Sequence, residues 1–106
     1  MNEYIMILNT CPNEDVAGKI ADALLGGGLA ACVQFQSITS RYIWEGKIET
    51  NPEILLFIKT TAAHYPAAES AITKNHPYQV PEIISIPIRD GLPSYLAWIS
   101  ESTSSF

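Results

Sequence analysis

The densest run of chemically versatile side chains is His76-Pro77-Tyr78-Gln79-Val80-Pro81-Glu82. An imidazole, a phenol, an amide and a carboxylate lie close together there, and two prolines stiffen the backbone that carries them. A rigid loop holding polar groups suits ligand binding. An equally simple reading makes the segment a stiff helix-to-strand connection in which His76 satisfies nearby carbonyls. A second cluster, Tyr42-Ile43-Trp44-Glu45-Gly46-Lys47, reads as an aromatic hairpin tip with a mobile cation. Such rings pack across strands or anchor a subunit contact, and the contact is the preferred reading. Cys11 stands where an apolar run gives way to helix-start residues, a place where a thiol can be activated as a nucleophile. Nothing in the sequence puts His64 or His76 beside it, so its default is structural. Cys32, within Leu29-Ala-Ala-Cys-Val33, reads as a small buried hydrophobe.

The templates of familiar catalysts are missing. There is no G-x-S-x-G elbow, no phosphate-loop lysine motif, no H-E-x-x-H and no paired C-x-x-C, so no enzymatic activity is expected. Six basic against eleven acidic side chains leave a net charge of −5. That balance argues against nucleic acid or an anionic membrane as partner, since both demand a basic surface. A chain of 106 residues, 47% hydrophobic and 16% charged, is expected to form one packed domain and not a disordered one. The longest early apolar run, residues 4–8, falls short of a secretory or membrane-spanning segment. A cytoplasmic protein with free thiols is therefore expected.

Apolar patterning supplies the elements that must position these residues. Residues 4–8 read as a strand apolar at every position, hence buried on both faces. Asn13, Glu14 and Asp15 supply a cap and an acidic first turn for a helix with Val16, Ile20, Ala23 and Leu24 on one stripe. Gly26-Gly27-Gly28 ends that helix. A second strand runs from near Leu29 to Trp44. Val33 and Phe35 share one parity, whereas Ile38, Tyr42 and Trp44 share the other, which predicts a bulge near Gln36-Ser37. After a turn at Glu45-Gly46, a return strand is interrupted at Asn51-Pro52 and resumes as the apolar run 54–58. Pro66 opens a second helix that must stop by Asn75 or His76, ahead of Pro77. Residues 80–88, with Pro81 and Pro87, form the last strand; Pro93 starts a short final helix, and the Ser/Thr-rich residues 100–106 read as a flexible tail.

The order β-α-β-β-α-β plus a helix predicts an α+β, ferredoxin-like sandwich. Right-handed crossovers make the first and third strands central and the second and fourth edges. The two strands apolar throughout are the ones assigned to the centre, and the strand with prolines is assigned to an edge. Two helices cover only one face of such a sheet. The other face would then expose large side chains, each worth about 1.5–3 kcal/mol if buried. The third helix is too short to shield all of it, so self-association through the bare face is expected.

These residues also carry a resemblance. Leu29-Ala-Ala-Cys-Val33, Tyr42-x-Trp44-x-Gly46-Lys47-Ile48-Glu49, Ile58-Lys59-Thr60, His76-Pro77-Tyr78-x-Val80-Pro81-Glu82-Ile83 and Tyr95-Leu96-x-Trp98-Ile99 resemble, in order and over nearly the whole chain, the CutA family of divalent-cation tolerance proteins. The resemblance implies a homotrimer related in architecture to the PII signalling proteins, with the long hairpin extending a neighbour's sheet. It implies a role in tolerance of copper or another divalent cation. Metal contact is expected at Cys11 and His76, completed by Glu82 or a neighbouring chain; a thiolate and an imidazole suit soft or borderline ions. Asn9 stands where some copper-linked members carry their cysteine. Arg41, Tyr42, Trp44, Lys47, Lys59 and Tyr78 are expected at inter-subunit clefts or contacts. The alternative function is a PII-like sensor that binds a small anionic ligand in those clefts, drawn by Arg41, Lys47 and Lys59.

Overall fold

A computed structural model of the chain describes residues 3–103. The elements follow in the order β1 (Tyr4–Cys11), α1 (Glu14–Gly26), β2 (Cys32–Trp44), β3 (Lys47–Thr61), a 3₁₀ turn (Ala62–His64), α2 (Tyr65–Asn75), β4 (Ile83–Ile88) and α3 (Pro93–Ser102). They build one four-stranded antiparallel sheet of order β2-β3-β1-β4. The strands apolar at every position are thus central. The proline-bearing strand is an edge, where Pro87 sits opposite Ile5.

Local chemistry sets the helix limits. The Asn13 side chain accepts the Val16 amide at 2.9 Å, which satisfies one of the orphan donors of the first turn of α1. Past the other end of α1, Gly28 takes a φ of 70°, the left-handed conformation that an L side chain resists. Pro66 lies in the first turn of α2 and Pro93 in that of α3, where a missing N–H costs no intrahelical bond. His76 is extended (φ −100°, ψ 133°), as a residue before proline must be, and α2 stops there.

Because side chains alternate along a strand, the ladder register sorts the sheet into two faces. Ile5, Ile7, Asn9 and Cys11 of β1, with Ile54, Leu56, Ile58 and Thr60 of β3, are buried on the helix-covered face. There they pack with Ala17, Ile20 and Leu24 of α1 and with Ala68 and Ile72 of α2. The opposite face carries Met6 and Leu8 of β1, Leu55 and Phe57 of β3, and Ile84 and Ile86 of β4. The first four are half-buried and the last two are 50% and 42% exposed. Helix α3 covers one end of this second face. The Tyr4 hydroxyl bonds the Ser100 hydroxyl at 2.7 Å, and Lys59 Nζ lies 5.5 Å from the Tyr95 ring centroid. The remainder of the face is open among the described residues.

Four local expectations are corrected. β2 contains no bulge: its ladder with β3 keeps one register from Cys32↔Lys59 to Trp44↔Lys47. The switch in apolar parity has another origin. Val33 packs on the helix-side core, whereas Tyr42 and Trp44 belong to the other face, so the two halves of one straight ladder present apolar residues on opposite sides. Pro52 does not interrupt β3, because β1 begins to pair only at Ile54 and Pro52 therefore sits where β3 has one free edge. β2 and β4 start later than expected, at Cys32 and Ile83. The expected tail is ordered at first: Ser100–Ser102 complete α3 and Thr103 is buried, its hydroxyl donating to the Ile99 carbonyl at 2.8 Å. Residues 104–106 lie outside the described residues.

The capping bond at Asn13 gives a direct test of the local reading. Asn13→Ala is expected to cost about 1 kcal/mol in urea unfolding and Asn13→Gly only a few tenths, because glycine keeps the cap conformation while losing the acceptor.

Candidate functional site

The β2–β3 hairpin outruns the rest of the sheet. β1 ends at Cys11 opposite Ile54, so among the described residues the part of the hairpin beyond Ser37 and Ile54 has no third strand beside it. The segment between α2 and β4 passes along this overhang, and between them lies a cleft of about 550 Å³. Its walls are Ser40, Arg41, Tyr42, Ile43 and Trp44 from β2, Glu53 from β3, Thr10 from β1, and Tyr78, Val80 and Glu82 from the proline-bracketed segment.

Four hydrogen bonds hold the walls in place. β4 pairs with β1 only as far as Asn9↔Ile83, which leaves the Thr10 carbonyl without a ladder partner on that side. His76 Nε2 donates to it at 2.8 Å, and Nδ1 of the same ring accepts the Tyr78 amide at 3.2 Å. The His76 and Tyr78 rings also stack at a tilt, 4.7 Å between centroids. Asn9 Nδ2 donates to the Glu82 carbonyl at 2.9 Å. Across the cleft floor, the Tyr78 hydroxyl donates to Glu53 Oε2 at 2.7 Å. Glu53 is only 8% exposed, so this bond supplies a donor to a carboxylate largely removed from water. Burial raises the Tyr78 pKa well above the usual phenol range, and the Glu53 bond and charge raise it further. The phenol therefore stays neutral and keeps donating.

The expected metal ligands sit in different chemical states. Cys11 is wholly buried on the helix-covered face, and its Sγ donates to Asn9 Oδ1 at 3.3 Å. Burial, with the Glu53 charge adding to it, pushes its pKa from 9.0 up to about 11, so the sulfur is a thiol near neutrality and not the thiolate that binds metals. Both ring nitrogens of His76 are engaged in backbone bonds. Glu82 is exposed and lines the cleft. Among the described residues, no group of three or more His, Cys, Asp or Glu side chains is placed to hold a metal ion. Two carboxylates, Glu53 and Glu82, share the cleft. Of the residues expected at inter-subunit clefts or contacts, Arg41, Tyr42, Trp44 and Tyr78 line this cleft, which lies within one chain. Lys47 faces Trp44 across the hairpin turn and Lys59 reaches over Tyr95; neither is on the wall. Sequence reasoning missed Glu53 and Thr10, and noted Asn9 only as standing where some family members carry a cysteine, not as a bond to the Glu82 carbonyl. A lone carboxylate directly before an all-apolar strand run was the available signal for Glu53. Thr10 and Asn9 join the site through tertiary pairing alone.

A four-stranded antiparallel sheet backed by two helices, with a half-covered second face and an overhanging hairpin, defines a ferredoxin-like α+β protein. Within that class the chain belongs to the CutA1 divalent ion tolerance protein family, whose model matches residues 5–102. The Thermus thermophilus divalent-cation tolerance protein CutA is 42% identical over 104 residues, covering 97% of this chain and 99% of that protein. Mouse protein CutA is 46% identical over 97 residues, covering 91% of this chain. The chain spans 55% of the mouse protein and 54% of the human one. Among solved structures, the periplasmic divalent cation tolerance protein CutA of Archaeoglobus fulgidus superposes with a TM-score of 0.94 at 37% identity, over 95% of this chain and 99% of that one. No helix among the described residues is long and apolar enough to cross a membrane.

The state of Cys11 makes a pH prediction. Its folded pKa of about 11 lies above 9.0, so the unfolded chain loses this proton first as pH rises. The contribution is fully present below pH 9.0 and is lost as pH climbs through about 11. Urea midpoints measured across that interval should fall, and Cys11→Ala should remove the early part of the fall. Tyr78 acts with the same sign from pH 10.0 upward. A thiol-reactive dye at pH 8 should label the half-buried Cys32 well before Cys11 in the folded protein.

Proposed function

We propose that this chain serves divalent-cation tolerance as a non-catalytic, cytoplasmic homotrimer that binds copper or another divalent cation weakly. Membership of the CutA1 family supports the tolerance role. The open second face of the sheet, with Ile84 and Ile86 exposed beside Leu8 and Phe57, supports assembly through that face. The observation that carries the binding reading is Glu82, an exposed carboxylate on the wall of a cleft to which the Tyr78-bonded Glu53 adds negative charge. Glu82 is the expected ligand that is free to act without first surrendering a structural bond. Cys11 would have to leave a dry core as a thiolate, and His76 would have to release either Thr10 or Tyr78. Oxygen ligands of this kind, few in number, make for weak and unselective binding, completed by water or by a neighbouring chain.

The alternative of an anion sensor rests on Arg41, the one cation lining the cleft among the described residues. Two carboxylates oppose it there, which favours a positively charged ligand.

Native mass measurement should give three times the 11.6 kDa chain mass. Calorimetric titration of the reduced protein with Cu(II) and Zn(II) should show weak binding that Glu82→Gln reduces about tenfold or more and Cys11→Ala leaves unchanged. An isotherm indifferent to Glu82→Gln and abolished by Cys11→Ala would return the site to the thiol. A single-chain mass at micromolar concentration would remove the assembly.

A further inference from the structure

We propose that the cleft is also an aromatic cage for an organic ammonium ion, a ligand distinct from a bare divalent cation. Tyr42, Trp44 and Tyr78 all line it, and they are 40%, 42% and 36% exposed, so each residue keeps accessible surface. The polar ends of both phenols are already engaged. Asn51 Nδ2 donates to the Tyr42 hydroxyl at 2.8 Å, and the Tyr78 hydroxyl donates to Glu53 at 2.7 Å. These bonds fix the rings; Tyr78 also packs one side of its ring against His76, and the ring surface that remains is available for recognition. A cation set against such faces is attracted by the ring quadrupole, most strongly by that of tryptophan.

The charge on the walls agrees. Glu53 and Glu82 line the cleft, and Glu49 stands directly across the ladder from Tyr42. The opposing charge, Arg41, pairs with Thr50 on the alternate pleat from Tyr42 and Trp44, and its Nε donates to the Thr50 hydroxyl at 3.3 Å. Size agrees as well. A cavity of about 550 Å³ matches small-molecule sites and greatly exceeds the needs of a single metal ion. A bare divalent ion prefers several short oxygen or nitrogen contacts. Here one carboxylate is already committed to Tyr78 and no histidine or cysteine lines the cavity. A bulky, weakly hydrated ammonium is satisfied by ring faces plus diffuse negative charge. The inference shares the cleft with the reading above and requires it to stay open in the assembled protein, but it does not require metal binding.

The test uses the intact protein with tetramethylammonium chloride as probe. Trp44 and Trp98 are the two tryptophans of the chain. In a Trp98→Phe background, Trp44 emission should change saturably with tetramethylammonium. Potassium chloride at equal ionic strength and tert-butanol, a neutral molecule of similar girth, should give no saturable change. Calorimetry should show the affinity weakened about 3- to 30-fold by Trp44→Leu or Tyr78→Leu, and also weakened by Glu82→Gln, whose exposed position leaves the fold intact. Native mass on each variant checks the assembly. Equal responses to tert-butanol, affinity unchanged by loss of either ring, or no saturable response from folded protein would each overturn the proposal. The copper titration on the same sample reads the divalent-cation reading separately.

Discussion

The carbonyl of Thr10 has no strand to bond to, and the geometry of the cleft follows from how that vacancy is filled. β4 stops pairing one residue earlier, at Asn9, so an inward-facing acceptor is left at the end of a central strand. An unsatisfied buried carbonyl costs on the order of 1–3 kcal/mol. His76 supplies the donor, and because its other nitrogen accepts from Tyr78, the ring acts as a bridge between sheet and loop. Proline on either side of the Tyr78–Val80 stretch then leaves the backbone little freedom to depart. The Glu53–Tyr78 bond and the Asn9–Glu82 bond complete the attachment. The same imidazole that sequence reasoning offers as a metal ligand is thus spent on architecture.

Much of the fold was legible in the pattern of side chains. Two runs without a polar position marked the central strands, prolines marked an edge, and Asn13, Pro66, Pro77 and Pro93 marked helix limits. These signals are local, and the physics behind them acts within a few residues. The parity change in β2 was misread because period-2 alternation reports which side of a strand is sheltered, not whether the ladder is continuous. Here the sheltered side changes where the hairpin leaves the helices. The cleft was legible in part for a similar reason. Tyr42, Trp44 and Tyr78 announce themselves by type. Glu53 and Thr10 become site residues only because β1 ends where it does. Lys47 and Lys59 carry the charge for an anion site between subunits; within one chain, register places one at the hairpin turn and the other beneath α3.

The two faces of the sheet are not equivalent in what they demand. The helix-covered face is a dry core in which even the polar residues are satisfied: Thr60 donates to the Leu29 carbonyl, and Asn9 serves the thiol and the loop at once. Away from the end beneath α3, the other face presents Met6, Leu8, Leu55, Phe57, Ile84 and Ile86 with no cover among the described residues. Apolar burial there is the free energy available for assembly, and the sheet can recover it only by meeting another surface.

The unbroken register of β2 with β3 has a mechanical side. A twisted two-stranded ribbon without a bulge has no built-in joint, so it behaves as a cantilever rooted where β1 lets go. From Ser37 to Trp44 the arm extends about 25 Å at the usual rise of a strand. By simple leverage, a tilt of about 5° at the root displaces the aromatic tip by about 2 Å over that length. The width of the gap between Trp44 and the proline-bracketed wall is therefore governed at a distance, by how firmly Glu53, Thr10 and their partners seat the base of the arm.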